Sequence, residues 1–246
     1  MKFSTSNVLD IPFIKATKKE VVTQLITDHK AGQNRFIVTA NPEIVLAARK
    51  DQTYMQTIKT ADYITADGIG IVKGTALLGN PVPERVTGFD LMCALLHHAD
   101  LHHDRVFFLG TKPTILQQTI IHVHHQYPGV IIAGSHDGYF TSSEAAKIAA
   151  QIKAAHPSFV FVALGFPKQE MFIRQFRKQA PALWMGVGGS FDVLAGAVHR
   201  APQSWQEHHV EWLYRLLQDP RRIGRMMALP HYLALILWRK FTSRQE

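Results

Sequence analysis

The sequence predicts an α/β fold, a mainly parallel sheet with helices on both faces (Rossmann-like), followed by a helical C-terminal appendage. Three observations carry this. First, three stretches share one grammar: an apolar run closes on a glycine, and polar residues then open a helix. They are residues 106–110 before Thr111-Lys112-Pro113, residues 160–165 before Phe166-Pro167-Lys168-Gln169-Glu170, and residues 183–186 before Val187-Gly188-Gly189-Ser190-Phe191-Asp192. Short β-branched and aromatic runs of this kind are buried parallel strands. Second, strand patterns alternate with helix patterns through most of the chain, as in doubly wound folds. Third, the pattern stops near Arg200 and gives way to helical and basic sequence.

In order, residues 35–40 are the first core strand, and Asn41-Pro42-Glu43 follows, with Pro42 suited to a helix's first turn. Residues 44–48 continue that helix, and residues 62–66 form a short strand closed by Asp67-Gly68. Thr87-Gly88-Phe89-Asp90 is a capping-box variant opening a helix that runs to residue 96. A strand at 106–109, a helix at 115–126 and a strand at 130–133 come next. Thr141-Ser142-Ser143-Glu144 caps a helix that ends near residue 155; a strand at 159–164, a helix at 168–179 and a strand at 183–187 complete the unit. Beyond it, residues 205–217 are helical, and Pro220-Arg221-Arg222 starts a helix carrying Arg225. Pro230 is expected to interrupt, leaving an apolar run at 232–238 flanked by Arg239 and Lys240.

Composition narrows the function classes. At 246 residues there is room for one substantial α/β domain and an appendage. The single cysteine, Cys93, excludes an internal disulfide and a cysteine-rich metal site, and it suits a reducing compartment. No signal-peptide pattern and no apolar stretch of about 18 residues is present, so a cytoplasmic protein without a membrane span is expected. The net charge of +8 is unevenly placed. From residue 201 onward the basic residues are Arg215, Arg221, Arg222, Arg225, Arg239, Lys240 and Arg244, and between Pro220 and Gln245 there is no acid. Such a tail seeks phosphate, whether on nucleic acid, anionic lipid or a diphosphate, or is simply solvated charge. Nucleic acid is disfavoured, because the tail's aromatics cluster with aliphatics rather than interleaving with cations. The 232–238 run is far too short to span a bilayer; it suits an interfacial segment or a helix packed on the protein's own core.

Ligands of parallel sheets bind where strand carboxyl ends meet helix N-termini, and those N-termini favour phosphate. Asp67, just past a strand, is placed either to accept a proton from a substrate hydroxyl or to cap the next helix. Arg85, in Pro83-Glu84-Arg85-Val86-Thr87-Gly88, is a phosphate ligand or a surface arginine. Gln169 and Glu170 open a helix and can hydrogen-bond a sugar or base, or Glu170 merely complements the helix dipole. Gly188 and Gly189 let a backbone approach a ligand closely, with Asp192 in the following turn. This is not the spaced dinucleotide fingerprint, since position 191 is Phe. Fourteen histidines include the pairs His97-His98, His102-His103, His124-His125 and His208-His209. Adjacent histidines point to different sides of a helix and no acid cluster completes a tetrahedral set, so no metal site is expected. No Asp-x-Asp is present to hold a divalent ion against a diphosphate, and there is no Walker loop or nucleophile elbow.

Taken together, Thr39-Ala40-Asn41-Pro42-Glu43, Ala66-Asp67-Gly68-Ile69-Gly70, residues 83–88, residues 164–170, residues 186–192, Arg200-Ala201-Pro202 and residues 211–216 follow one another at matching spacing. In that order they resemble the WecG/TagA/CpsF glycosyltransferases almost end to end, and the proline-arginine appendage is most similar to the TagA branch, the N-acetylmannosaminyltransferases of wall teichoic acid synthesis. The resemblance implies a metal-free, cofactor-free, inverting enzyme. Its donor would be UDP-N-acetylmannosamine and its acceptor N-acetylglucosamine on undecaprenyl diphosphate. Asp67 would be the base, Thr39, Asn41, Arg85 and Gln169 would line the pocket, and Arg215, Arg222 and Arg225 of the appendage would neutralise the diphosphate. Residues 1–200 would form the catalytic domain and residues 201–246 a membrane-associating appendage at the inner face of the cell membrane. A sister enzyme using UDP-N-acetylmannosaminuronic acid or UDP-glucose is the main alternative, and a homo-oligomer is compatible with the sequence.

Overall fold

The computed structural model describes residues 3–202, 204–205, 211–218, 224 and 227–242. Its centre is a six-stranded parallel sheet of β3 (Arg35–Ala40), β4 (Tyr63–Ala66), β5 (Arg105–Gly110), β6 (Ile131–His136), β7 (Phe159–Ala163) and β8 (Leu183–Gly186), in the order β4-β3-β8-β7-β5-β6. The strands expected from the apolar runs are all present, with ends within a few residues of expectation. β7 and β8 are buried along their whole length, whereas the edge strand β6 is mostly half-exposed, which is why only its first residues read as apolar.

Side chains alternate across the sheet, as the period of two requires. Phe36, Val38, Val160, Val162 and Trp184 point into one layer with α2 (Pro42–Lys50), α3 (Gln52–Lys59), α7 (Ala145–Ala155) and α8 (Lys168–Phe176). Ile37, Phe108, Phe159, Phe161 and Met185 point into the other, with α1 (Lys18–Lys30), α5 (Gly88–His102), α6 (Pro113–Gln126) and α9 (Ser190–Leu194). A 3₁₀ turn at Arg177–Gln179 takes up the last part of the helix expected to run to residue 179.

The β1–β2 hairpin and helices α1, α3 and α4 go beyond the sequence reading. β1 (Thr5–Val8) and β2 (Ile11–Ile14) form an antiparallel hairpin whose two turn residues, Leu9 and Asp10, have φ of 49° and 71°. Two left-handed turn residues match the twist of hairpin strands. Helix α1 opens on a capping box: Thr17 Oγ1 accepts from Glu20 N, and Glu20 Oε2 accepts from Thr17 N at 2.8 Å. Helix α4 (Ile69–Leu77) carries two glycines because neighbours press onto it. A Cβ on Gly70 would lie 2.7 Å from Pro42, and one on Gly74 would lie 2.2 Å from the Tyr232 hydroxyl.

The tail contributes α10 (Glu211–Gln218) and α11 (Ala228–Thr242). Pro230 does not interrupt: it sits in the first turn of α11, where the missing N–H has no intrahelical partner to lose. The expected helix start at Pro220-Arg221-Arg222 lies outside the described residues. Tyr232 and Ile236, four residues apart and both fully buried, pack into the first layer against α2 and α4. Leu237, Trp238 and Phe241 are exposed on the other side of the same helix. The apolar run is therefore a core helix on one face and bare apolar surface on the other. No helix among the described residues is long and apolar enough to cross a membrane.

Candidate active site

Helix α2, which follows β3, packs in the first layer, whereas α9, which follows the neighbouring strand β8, packs in the second. The chain thus leaves the sheet toward opposite faces at this pair, and such a seam is where parallel α/β sheets open a crevice for ligands. The candidate residues collect there.

Thr39, the penultimate residue of β3, donates from Oγ1 to the Gly186 carbonyl of β8 at 3.4 Å, across the seam. Its hydroxyl also lies so near the start of α5 that a Cβ on Gly88 would approach it to 2.7 Å. Asp67 follows β4 directly; its N–H donates to Ala40 O at 2.9 Å, which ties it to the end of β3. Its Oδ2 accepts from Gly88 N at 3.1 Å, in the first turn of α5. Asp67 therefore points at the positive end of the longer helix that follows in sequence, rather than capping α4, whose N-cap is Gly68 with no side-chain bond. Gly68 has φ of 138°, a conformation open to glycine, and its Cα faces Asn41 and Pro42. Asn41 caps α2 through Oδ1, which accepts from Ile44 N at 3.0 Å.

Gln169 is buried at 5 % exposure and braces the glycine turn after β8. Its Oε1 accepts from Gly188 N at 3.2 Å, and its amide nitrogen packs on Gly186 while donating to Glu170 Oε1 at 2.7 Å. Gly188 has φ of 52°; Gly189 is the N-cap of α9 and Asp192 lies in its first turn, where the Asp192 carbonyl accepts from Val198 N at 3.1 Å. Glu170 neither faces a cleft nor serves only the helix dipole. It is 1 % exposed, it accepts from the Tyr54 hydroxyl at 3.1 Å, and burial pushes its carboxyl above the usual range against the hydrogen bonds from Gln169 and Tyr54.

Arg85 sits one residue before Val86, whose N–H donates to Ala66 O, so it borders Asp67. It donates from Nη1 to Glu211 Oε2 at 2.9 Å, with only 19 % and 9 % of the two side chains exposed. The arginine expected to meet phosphate is thus linked to the first residue of α10. Beside it, Arg200 forks onto Asp90 at 2.7 and 3.2 Å and lies over the Phe89 ring. Burial works against the Asp90 charge, but hydrogen bonds from Arg200 and Thr87 hold its carboxyl below the usual range. Thr87 is the cap of α5: its Oγ1 accepts from Asp90 N, while the Asp90 carboxyl is held by Arg200 as well as Thr87. Glu211, Arg200 and Tyr54 were not singled out from sequence for these roles; each meets its partner across more than a hundred residues, a distance that local patterns do not bridge. Arg215 falls within α10, but its side chain and the whole of Arg222 and Arg225 lie outside the described residues.

The structure brings Thr39, Asn41, Asp67, Arg85, Gln169 and the Gly188–Gly189 turn to one sheet edge. Among the described residues, none of these belongs to a set of three His, Cys, Asp or Glu donors at ligating distance. A shallow groove between α6 and β6, lined by Leu116, Gln117, Ile120 and Asp137, contains none of the site residues.

Comparison with known proteins agrees with this arrangement. A sequence model of the "Glycosyl transferase WecG/TagA/CpsF family" matches residues 6–246. A protein of Bacillus spizizenii (strain ATCC 23059 / NRRL B-14472 / W23) named N-acetylglucosaminyldiphosphoundecaprenol N-acetyl-beta-D-mannosaminyltransferase is 41 % identical over 236 residues, 95 % of this chain and 91 % of its own length. Proteins of the same name from Bacillus subtilis (strain 168) and Staphylococcus aureus (strain MW2) are each 37 % identical, over 237 and 230 residues, or 95 % and 92 % of this chain and 91 % and 90 % of theirs. With the motifs, the parallel sheet and the match along nearly its whole length in agreement, the chain belongs to the WecG/TagA/CpsF glycosyltransferase family.

Proposed function

We propose that the protein transfers N-acetylmannosamine from UDP-N-acetylmannosamine to the 4-hydroxyl of N-acetylglucosamine carried on undecaprenyl diphosphate. The relatives' shared name supports the substrates. The observation that carries the chemistry is the placement of Asp67 at the seam, with its carboxylate oriented by the Gly88 amide.

The step balances without a cofactor. The acceptor O4 attacks the anomeric carbon of the donor and its proton passes to the Asp67 carboxylate. The new C–O bond forms as the bond from the anomeric carbon to the β-phosphate oxygen breaks, and the electron pair leaves with UDP. Attack opposite the leaving group inverts the anomeric centre. Thr39 and Asn41 line the wall beside Asp67, Gln169 holds the Gly188–Gly189 turn, and Asp192 borders it. Arg85, with Arg215, Arg222 and Arg225 of the tail, neutralises the charge that develops on the diphosphate, a role in which preorganised cations are effective.

The tail belongs to the same proposal: residues 1–200 act as the catalytic unit and residues 201–246 as the appendage that meets the membrane. Exposed large apolar side chains concentrate there, at Trp212, Leu217, Met227, Leu237, Trp238 and Phe241, next to a run of cations without acids. Apolar burial and attraction to anionic lipid together give interfacial binding.

The test is incubation with a panel of UDP-sugars and a short-chain lipid-diphosphate N-acetylglucosamine acceptor, with product mass as readout. A HexNAc increment from UDP-N-acetylmannosamine is expected; transfer only from a uronic or glucosyl donor rejects the donor assignment. Asp67→Asn is expected to lower turnover by about 10²–10⁴ while UDP binding is kept. Near-normal turnover in that variant rejects Asp67 as the base.

A further inference from the structure

All six strands run their carboxyl ends toward Asp67, so their amino ends form the opposite edge, where the transfer reaction has no part. Three side chains converge there. His29 lies in the last turn of α1, His98 near the end of α5, and Asp104 immediately before β5. His29 Nε2 is 2.9 Å from Asp104 Oδ1, and His98 Nε2 is 3.7 Å from Asp104 Oδ2. One donor atom from each residue lies within 4.8 Å of the other two.

Two of these atoms are orphans. His98 Nε2 and Asp104 Oδ2 are buried, and neither has a hydrogen-bond partner among the described residues. Their separation of 3.7 Å is too long for a hydrogen bond between them. Buried polar atoms are nearly always satisfied, so two facing each other across such a gap call for something that binds both. In a tetrahedral zinc site, bonds of about 2.0–2.1 Å set neighbouring ligand atoms roughly 3.3 Å apart. The observed 2.9 and 3.7 Å run to the two oxygens of one carboxylate and straddle that spacing, and one ligand atom from each of the three residues falls within 4.8 Å of the others. The rings are also held. His102 stacks on His98 with centroids 4.0 Å apart, Phe159 packs on His29 at 4.8 Å, and Ser158 Oγ donates to Asp104 Oδ1 at 3.4 Å.

We propose that His29, His98 and Asp104 form a binding site for a divalent transition-metal cation of the zinc class. Two imidazoles and one carboxylate suit such ions rather than magnesium or calcium, which prefer all-oxygen sets. The side chains of His29 and Asp104 are 20 % and 13 % exposed, so water can complete the coordination from that side. Adjacent histidine pairs in the sequence do not reveal this set, because its two imidazoles come from different helices. The ion would join the C-terminal ends of α1 and α5 to the start of β5.

The experiment uses untagged full-length protein, stripped of metal and titrated with zinc chloride, with cobalt chloride as an optical probe. One tightly held equivalent of zinc per chain and a visible cobalt band typical of tetrahedral coordination are expected. Because the ion binds the folded state, Tm is expected to rise by about 5–10 °C at a zinc concentration 100-fold above Kd. His29→Gln, at the more exposed side of the set, and Asp104→Asn are expected to abolish the tight equivalent, the cobalt band and the zinc-dependent rise in Tm. Should Asp104→Asn fail to fold, His29→Gln decides alone. Equal zinc affinity and stoichiometry in wild type and His29→Gln would place the metal on other histidines and overturn the proposal, as would absence of binding to the wild type.

Discussion

Replacing Gly74 with alanine tests whether α11 is docked as the structure has it. A Cβ at this position would lie 2.2 Å from Tyr232 Oη, 3.1 Å from Cζ and 3.2 Å from Cε1. The first contact is more than an ångström short of ordinary van der Waals distance, and Tyr232 is fully buried, so it has no open direction in which to retreat. Two terms oppose each other. Gly→Ala within a helix gains up to about 1 kcal/mol. Overpacking a filled core costs about 1–3 kcal/mol. With the full helix-propensity gain the net expectation is a loss of up to about 2 kcal/mol, or up to roughly 8 °C in Tm for a chain of this size. Tyr232→Phe removes the clashing oxygen and also a buried hydroxyl that has no hydrogen-bond partner among the described residues. Alone it is expected to be neutral or slightly stabilising, since an unmade buried hydrogen bond is a cost. Combined with Gly74→Ala it should recover at least half of the loss, the remaining ring contacts being merely tight. Urea midpoints and Tm for the four proteins of this cycle provide the measurement. If Gly74→Ala raises stability by the full helix-propensity gain, α11 does not rest on α4 and the packing described here is wrong.

Other predictions concern the site. Arg85→Ala should weaken UDP binding by about 10–100-fold, the worth of one charge-assisted contact, with Arg85→Lys intermediate; unchanged binding, read by calorimetry, means that Arg85 serves only as a latch for Glu211. Transfer should continue at an unchanged rate in chelator, since the sequence has no Asp-x-Asp and, among the described residues, none of the site lies in a ligand set; a loss restored by magnesium or manganese refutes this. Glu170 has a raised carboxyl, so its contribution to stability is full below the unfolded value of about 4.3 and is lost as pH rises through its folded value. Glu170→Gln should flatten that decline in urea midpoints measured upward from about pH 4, and identical slopes in the two proteins would refute the assignment.

How much of this was legible in the sequence depended on whether the signal was local. The strands of the parallel sheet were legible because burial on both faces writes itself as unbroken runs such as Val160-Phe161-Val162, closed by glycine. Asp67 is legible as a candidate because it follows a strand end, and Arg85 because it precedes a helix in a proline-bounded loop. The β1–β2 hairpin was not, since its Leu9-Asp10 turn lacks the glycine or asparagine that usually marks one. Helix α4 was hidden by Gly70 and Gly74, which count against a helix in isolation and are required once Pro42, Leu229 and Tyr232 press onto it. The Thr17–Glu20 capping box is a local signal for the start of α1 that the sequence does carry. The Arg85–Glu211 and Tyr54–Glu170 contacts depend on the folded path of the chain, and no pattern short of that path encodes them.

The seam between β3 and β8 has a mechanical corollary. One wall of the crevice is carried by α2 and the other by α9, and these helices rest on separate hydrophobic layers on opposite faces of the sheet. The Thr39 hydroxyl, reaching Gly186 at 3.4 Å, and the Gln169 side chain, reaching Gly188 at 3.2 Å, are the hydrogen-bonded stitches near that joint. Loosening either layer is expected to tilt one jaw against the other while leaving the sheet itself intact. Catalytic geometry is sensitive to displacements of about an ångström. The arrangement predicts a working shape more fragile than the fold, so that heat or a distant cavity in either layer should silence transfer before the chain comes apart.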